Sequence, residues 1–309
     1  MASLPKKEDK KKLNSIPKIE VDKVLKKWKA NCEKKQKYFP LWDDINFFVF
    51  PSAQSFSMQY AEGVDKRKRR FDGTAEHANT IFAAGLVSYI ADPSRRFINF
   101  TVEDANDGEK KWLDMASNAV LSVLQNPKTK FYDNLFFLLL SCGSYGTGAM
   151  LIDKDKEGIV KFNSVTPRVF DFEEDFAGNP RCFYLEQEYS KDDIELRKQI
   201  DSWDIEIDNR KEYKILRYIA LNSEYDPTKL NSKKYSSYYI DIDKKKLVNS
   251  SGFNTFPSPI GRWGRVDGEK WGNSPASIAL ADTKSANFNM KAIMVAAEMQ
   301  LEPPLVIDS

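Results

Sequence analysis

"FFLLLSCGSYGTGAMLID", residues 136–153, is the segment in which the sequence pattern changes. Before its glycines, Gly143, Gly146 and Gly148, apolar residues recur with the period of a helix, and after them they alternate as in a strand. A phosphate-binding loop has the opposite order, strand and then helix, and its motif carries a lysine that this segment lacks. The segment therefore predicts a tight helix-to-strand turn in which the glycines adopt positive φ.

The chain before the glycines is predicted to be mainly helical. Apolar residues follow helical spacing from Val21 to Cys32, from Leu41 to Val49 and from Ala78 to Tyr89. On the last of these stripes, alanines and a glycine would let another element approach closely. Two further helices are predicted around residues 112–123 and 131–142, and the alternating residues 97–102 predict a strand.

The chain after the glycines is predicted to be rich in strands. Turns separate alternating apolar runs at residues 147–153, 158–164, 168–174, 181–190, 213–221 and 235–243. Residues 190–200 predict a short capped helix, and residues 256–275 predict an irregular segment rich in proline and glycine. The predicted fold class is α+β, with a helical N-terminal part, a β-rich middle and a long C-terminal helix.

The predicted C-terminal helix has a clear start, because Ser274 is a natural N-cap and Pro275 a natural first helical residue. Roughly 25 residues would make this helix about 38 Å long. A seam of small and apolar residues predicts that the helix packs against like helices. The candidate packing residues are Ala281, Phe288, Ala292 and Val295.

Three polar residues of the same helix, Lys284, Asn287 and Lys291, share a face that is opposite to this seam or flanks it. In a single helix they would form ordinary solvated surface, whereas around a ring they would place positive charge towards an axis. The sequence closes with residues 302–309, in which a strand is predicted to begin at Leu305. A strand requires a partner, so we expect this segment to be the start of a truncated element.

Composition restricts the functions that are open to the chain. The 47 basic and 45 acidic residues lack the basic excess of proteins that coat nucleic acid. His77 is the sole histidine and the three cysteines are widely spaced, which disfavours imidazole catalysis, a zinc site and a disulfide framework. No apolar run is long enough to cross a bilayer. We therefore predict no catalytic residue, no metal, no cofactor and no membrane contact.

Two other functions stay open on the residues alone. A nucleic-acid-binding module could use the basic run "DKRKRR", residues 65–70, although a solvated loop is the more common role of such a run. A nucleotide-binding enzyme could use the corner between Gly143 and Gly148. The lysine-rich residues 1–17 are predicted to be a disordered basic arm.

Five segments resemble, in the same order, motifs of the portal or head-to-tail connector family of short-tailed bacteriophages. In "RRFDGTAEHANTIFAAGLVSYIADPSRRFINFTV", residues 69–102, Phe97 stands where the family usually has tryptophan. In "GRWGRVDGEKWGNSP", the start of the match over 261–307, Trp271 replaces a tyrosine. The other three segments are residues 37–52, 131–153 and 165–190.

The resemblance implies a non-enzymatic subunit of a ring of about twelve copies at one capsid vertex. Double-stranded DNA would pass through its channel, driven inward by a separate terminase, and later leave through it. Capsid and scaffold proteins and a tail adaptor would be further partners, with assembly in the host cytoplasm and a final place in the virion. Residues 18–265 would form the portal wing, 266–301 the stem helix region and 302–309 the start of a clip-like segment.

Overall fold

The computed structural model describes residues 19–58, 70–104, 106–154, 158–208, 210–228 and 232–301. A helical first part, a sheet-rich middle and a C-terminal helix confirm the predicted α+β class. The chain forms two compact units. The sheet unit comprises the described residues of Met1–Lys37 and Pro167–Pro259, and the helical unit those of Tyr38–Thr166 and Ile260–Ser309.

The sheet unit is built on an antiparallel sheet with strand order β3-β4-β5-β6-β7. The strands are β3 (Phe170–Glu174), β4 (Pro180–Ser190), β5 (Glu212–Leu221), β6 (Tyr235–Asp241) and β7 (Lys246–Phe253). Helix α1 (Val21–Lys35) precedes the sheet in sequence, and α6 (Lys191–Asp201) connects β4 to β5. Each strand therefore pairs with its sequence neighbour, the pattern of a meander.

Apolar side chains cover both faces of this sheet. On one face, Val24 and Leu25 of α1 pack against a cluster that includes Tyr184, Leu216 and Tyr238. On the opposite face, α6 and the segment that follows it contribute Ile194, Trp203 and Ile205, which pack against Tyr213, Ile215 and Val248. Alternation along each strand separates the two sets of residues. The sheet unit consequently has a closed, two-sided core.

The helical unit begins with α2 (Phe39–Phe48), α3 (Thr74–Ile90), α4 (Asp107–Gln125) and α5 (Phe131–Tyr145). A small antiparallel sheet has the order β2-β1-β8, formed by β1 (Thr147–Lys154), β2 (Val160–Val165) and β8 (Ile260–Arg262). Helix α5 packs against β1 and β2 on one side and against α3 on another. The unit ends with α7 (Pro275–Ile278) and α8 (Leu280–Leu301).

Three features of the fold differ from the sequence-based predictions. Residues 97–102 lie in no strand, and the Phe100 N–H donates to Ser117 Oγ of α4 instead of to a neighbouring strand. Strands β7 and β8 were not predicted, since one is rich in serine and glycine and the other has three residues. The single C-terminal helix is in fact two, separated at Ala279, where ψ is 3°.

The break at Ala279 has a packing reason. Helix α7 contacts α5 and α2 and buries Ala276, whereas α8 also contacts α2 but buries Leu280 alone among its residues. The predicted capping of this region is present, since Ser274 Oγ accepts from the Ser277 N–H at 2.8 Å. The predicted basic arm, the basic run up to Arg69 and the C-terminal segment from residue 302 lie outside the described residues.

Candidate functional site

Helix α8 carries the most unusual surface of the helical unit. Among its residues, all of which the structure describes, Leu280 is the one that is buried. Phe288 is 69% exposed and Ile293 62% exposed, although side chains of this kind are normally sequestered from water. An extended apolar surface on a soluble chain marks an interaction site, so α8 is the first candidate functional element.

Ten of the exposed apolar residues of α8 fall on two faces, and Met294 and Ala296 lie between them. We call the first the alanine face; it consists of Ala286, Met290, Ile293, Ala297 and Leu301. We call the second the Phe288 face; it consists of Ala281, Phe288, Ala292, Val295 and Met299. At about 100° per residue the centres of the two faces are about 170° apart around the helix. A helix that is apolar on opposite sides is suited to burial between neighbours on both sides.

An apolar groove begins where α8 leaves the rest of the helical unit. Its volume is about 480 Å³, and its walls come from α3, α7 and the first turns of α8. Small side chains dominate the lining, which includes Ala75, Ala78, Ala276, Ala279 and Ala286. Because Ala286 belongs both to the groove and to the alanine face, the two form one continuous apolar surface.

The three residues predicted to line a channel all contact their own unit. Lys284 Nζ lies 2.6 Å from Asp44 Oδ2 of α2. Asn287 Oδ1 accepts hydrogen bonds from the backbone N–H groups of Phe71 and Asp72, at 2.8 and 3.1 Å. Lys291 Nζ lies 5.8 Å from the centre of the Phe71 ring. Together they attach the first half of α8 to α2 and to the turn before α3.

The four predicted packing residues lie on the neighbouring side of α8. Ala281, Phe288, Ala292 and Val295 are all exposed, and all four belong to the Phe288 face. The structure thus brings the predicted seam together on one side of α8. The alanine face and the groove were missed, because the groove is formed by three elements that are distant in sequence.

The glycines at the turn from α5 to β1 have structural roles. Gly146 ends α5 with φ 73°, and a Cβ atom there would lie 2.0 Å from the carbonyl oxygen of Gly272. Positive φ was expected of all three glycines but occurs at Gly146 alone. Gly143 lies inside α5 and Gly148 inside β1, where they permit close packing against Asn79 and Leu138, respectively.

The residues beside the corner are poorly suited to nucleophilic chemistry. Burial is the main reason that the pKa of the Cys142 thiol is raised to about 12. Ser141 Oγ donates a hydrogen bond to the backbone carbonyl of Thr147 at 2.9 Å.

Within the described ranges, no group of three or more histidine, cysteine and acidic residues could hold a metal ion. Nor does any helix in that part of the chain have the length and hydropathy to cross a bilayer.

A second exposed apolar surface lies on α3 and α4. Ile81 and Tyr89 of α3 are 58% and 91% exposed, and Trp112 and Met115 of α4 are 64% and 63% exposed. The sequence pattern placed Trp112 and Tyr89 on helical stripes, and in the structure both are exposed while α4 buries Ser117 and Leu121. One available signal was that the apolar residues of α4 occupy too wide an arc for a helix with a single buried face.

Taken together, the exposed apolar surfaces of the helical unit mark sites of interaction. A family model described as bacteriophage head to tail connecting protein matches residues 21–309, and the chain belongs to this family.

Two curated relatives carry names that agree with the family. The probable portal protein of Bordetella phage BPP-1 is 23% identical over 307 residues, which cover 91% of this chain and 53% of that protein. The portal protein of Salmonella phage epsilon15 is 24% identical over 316 residues, which cover 93% of this chain and 54% of that protein. The chain therefore spans about half the length of the curated relatives it matches.

Proposed function

We propose that this chain is a subunit of a bacteriophage portal, a ring at one capsid vertex through which genomic DNA is packaged and ejected. The observation that carries the proposal is the family match over residues 21–309, with relatives that are named as portal proteins. The ring would contain about twelve copies related by cyclic symmetry. It would assemble in the host cytoplasm and remain in the virion.

The geometry of α8 supports a ring. Every subunit of a closed ring has one neighbour on each side, and α8 offers an apolar face on each of two opposite sides. The formal charge of +2 is also suited to this role, because each additional phosphate contact would strengthen the hold on DNA that has to slide. A structural ring of this kind would hydrolyse nothing, and a separate terminase would supply the energy for packaging.

The remaining parts of the proposal concern partners and local roles. Capsid and scaffold proteins and a tail adaptor would contact the ring. The assignment of residues 18–265 to the wing and 266–301 to the stem stays a prediction. So does DNA contact by Lys284, Asn287 and Lys291, whose present partners lie within the same subunit.

Electron microscopy and mass photometry of the purified chain test the proposal. We expect ring-shaped particles whose mass is a large multiple of the 35.5 kDa subunit. A species that stays monomeric at every accessible concentration contradicts the ring. Tight, strongly salt-dependent duplex binding by that monomer would favour a nucleic-acid-binding module. ATP binding that is lost in Gly146→Ala would instead favour a nucleotide-binding enzyme.

A further inference from the structure

We propose that the groove between α3, α7 and α8 receives the Phe288 side chain of the adjacent copy in the ring. The Phe288 face of one α8 would then pack against the groove and alanine face of the next. This inference rests on the proposed function, because it assumes a ring, and it adds which surfaces meet. The contact is heterologous, since it joins two different patches of the same chain.

The shapes of the two surfaces are complementary. The groove is apolar and holds about 480 Å³, with alanines contributed by all three of its helices. An apolar cavity of roughly 150 Å³ is enough to bind benzene, so the groove has room for a phenyl ring. Phe288 is the largest side chain on its face and is 69% exposed. Ring insertion would bury it against the small residues that now leave the groove open.

The heights of the two surfaces along α8 also match. Cyclic symmetry keeps equivalent atoms of neighbouring copies at the same level along the ring axis. Phe288 is two residues beyond Ala286, which corresponds to a rise of about 3 Å. Helical side chains lean towards the N-terminus, so the phenyl ring descends to the level of Thr283 and Ala286 in the groove wall. Phe288 therefore needs no axial shift to meet the groove of the next copy.

The angle between the two faces favours a ring of many copies. For helices that run along the axis of a cyclic ring, the directions to the two neighbours differ by about 60° in a trimer, 90° in a tetramer and 150° in a dodecamer. The separation of about 170° between the faces of α8 is closest to the last of these values. A dimer related by a two-fold axis would use one face and leave the other in water.

The charges around the groove and the exposed apolar surface of α8 support a second copy of the chain as the partner that binds in the groove. Asp72 and Asp282 line the groove, whereas Lys284 and Lys291 flank the Phe288 face. Opposite charges would therefore approach each other at the rim, which favours this pairing over like with like. Seven large apolar residues of α8 are exposed, which gives the helix a wide apolar surface to bury against a neighbour.

Disulfide trapping tests the contact directly. In a Cys32→Ser background, Phe288→Cys combined with Ala286→Cys should give, after mild oxidation, a ladder of covalent multimers on non-reducing gels. Each single variant should give no ladder, because the two thiols come from different patches of different copies. Rings of the double variant without a ladder would overturn this inference and leave the proposed function intact. A covalent dimer from Phe288→Cys alone would overturn it as well, because it would indicate a two-fold contact.

Assembly measurements supply the matched controls. Ala78→Phe fills the groove and should raise the concentration at which rings form by about tenfold or more. Ala84→Phe adds the same side chain to an exposed position of α3 outside the groove and should leave that concentration unchanged. Equal effects of the two variants would overturn the assignment of the groove. Absence of rings in the wild-type protein would instead count against the proposed function.

Discussion

The two units of this chain bury their apolar residues to very different degrees. Of the twelve largest fully buried side chains, ten lie in the sheet unit and two, Ile45 and Tyr145, in the helical unit. Of the twenty-seven exposed large apolar residues in the described ranges, twenty-two lie in the helical unit. The sheet unit therefore completes its core within one chain, whereas the described residues of the helical unit leave part of its apolar surface exposed.

The difference follows from how each unit is covered. In the sheet unit, α1 packs on one face of the sheet and α6 on the other, so that the apolar side chains of both faces are enclosed. In the helical unit, α5 is surrounded by α2, α3, α4 and β1, but the outer sides of α3, α4 and α8 have no such cover among the described residues. The comparison teaches that apolar periodicity identifies a buried face without telling whether the same chain buries it.

The largest expected effect tests the closed core. Phe183→Ala removes a fully buried ring whose centre lies 5.6 Å from that of Phe170. We expect a loss of about 3–5 kcal/mol in the free energy of unfolding of the sheet unit, because the cavity cannot be filled from outside. The measurement is hydrogen exchange of the β4 and β5 amides as a function of urea, which reports on this unit separately.

The control for this variant is a phenylalanine of the same unit. Phe176 is fully exposed in the turn between β3 and β4, so Phe176→Ala should change the free energy of unfolding by less than about 0.5 kcal/mol. Similar losses for the two variants would show that the sheet unit does not have the closed core described above.

A second prediction concerns the charged residue Asp241, which is buried at the end of β6. Burial by itself raises the pKa of Asp241, but the hydrogen bonds from Arg210 and from the N–H groups of Asp243 and Lys244 outweigh it and hold the pKa below the ordinary value of 3.8. Arg210 Nη2 lies 2.8 Å from Asp241 Oδ2. Because this carboxylate is stabilised in the folded state, its contribution is complete above the unfolded pKa and is lost as pH falls through the folded pKa.

We therefore expect Asp241→Asn to destabilise the sheet unit by about 2–3 kcal/mol at pH 7, since it leaves a half-buried guanidinium with fewer partners. The difference from wild type should shrink as the pH falls below about 4. Urea unfolding at the two pH values is the measurement. Asp243, which binds the same Arg210 at 2.9 Å but is 50% exposed, is the control, and Asp243→Asn should cost less than about 1 kcal/mol. A pH-independent effect of Asp241→Asn would contradict the assignment.

The strands of the two units show how much of the fold could be predicted from the sequence alone. Alternating apolar residues predicted four strands of the sheet unit, β3, β4, β5 and β6. Strand β7 was missed because "KLVNSSGF" has few apolar residues, and its pairing depends on β6 beside it. Residues 97–102 have the alternation of a strand, yet the backbone of Phe100 binds a side chain of α4. Pairing is a tertiary property, and a local pattern can indicate it only indirectly.

Of the candidate interface, the Phe288 face could be predicted from the sequence, whereas the groove could not. The spacing of Ala281, Phe288, Ala292 and Val295 predicted one face of α8, since these residues follow a single helical stripe. The groove that we propose as its counterpart requires Ala75 and Ala78 of α3 to meet Ala276 and Ala279. That meeting depends on the break between α7 and α8 at Ala279, which no residue in the segment signals.

A third prediction compares two glycines of the helical unit. A Cβ atom at Gly143 would lie 2.2 Å from Asn79 Oδ1 and 3.1 Å from the Phe82 ring, so Gly143→Ala should cost about 1–3 kcal/mol. A Cβ atom at Gly85 on α3 would meet nothing within 4 Å, and Gly85→Ala should stabilise the helix by roughly 0.5–1 kcal/mol. Thermal unfolding of the two variants measures both effects. The same sign for both would contradict the division between the packed and open sides of α3.

The smallest expected effect concerns the attachment of α8. Lys284 and Asp44 form an ion pair at 2.6 Å, but their side chains are 43% and 49% exposed. Solvent screens such a pair, so a double-mutant cycle with Lys284→Ala and Asp44→Ala should give a coupling of about 0.2–0.5 kcal/mol at low salt and less at high salt. The measurement is the urea dependence of hydrogen exchange in α2 and α8. A coupling above about 2 kcal/mol would mean that α8 is held rigidly by its own subunit. A weak coupling would leave the hydrogen bonds from Phe71 and Asp72 to Asn287 as the main polar attachment of α8 to its own unit.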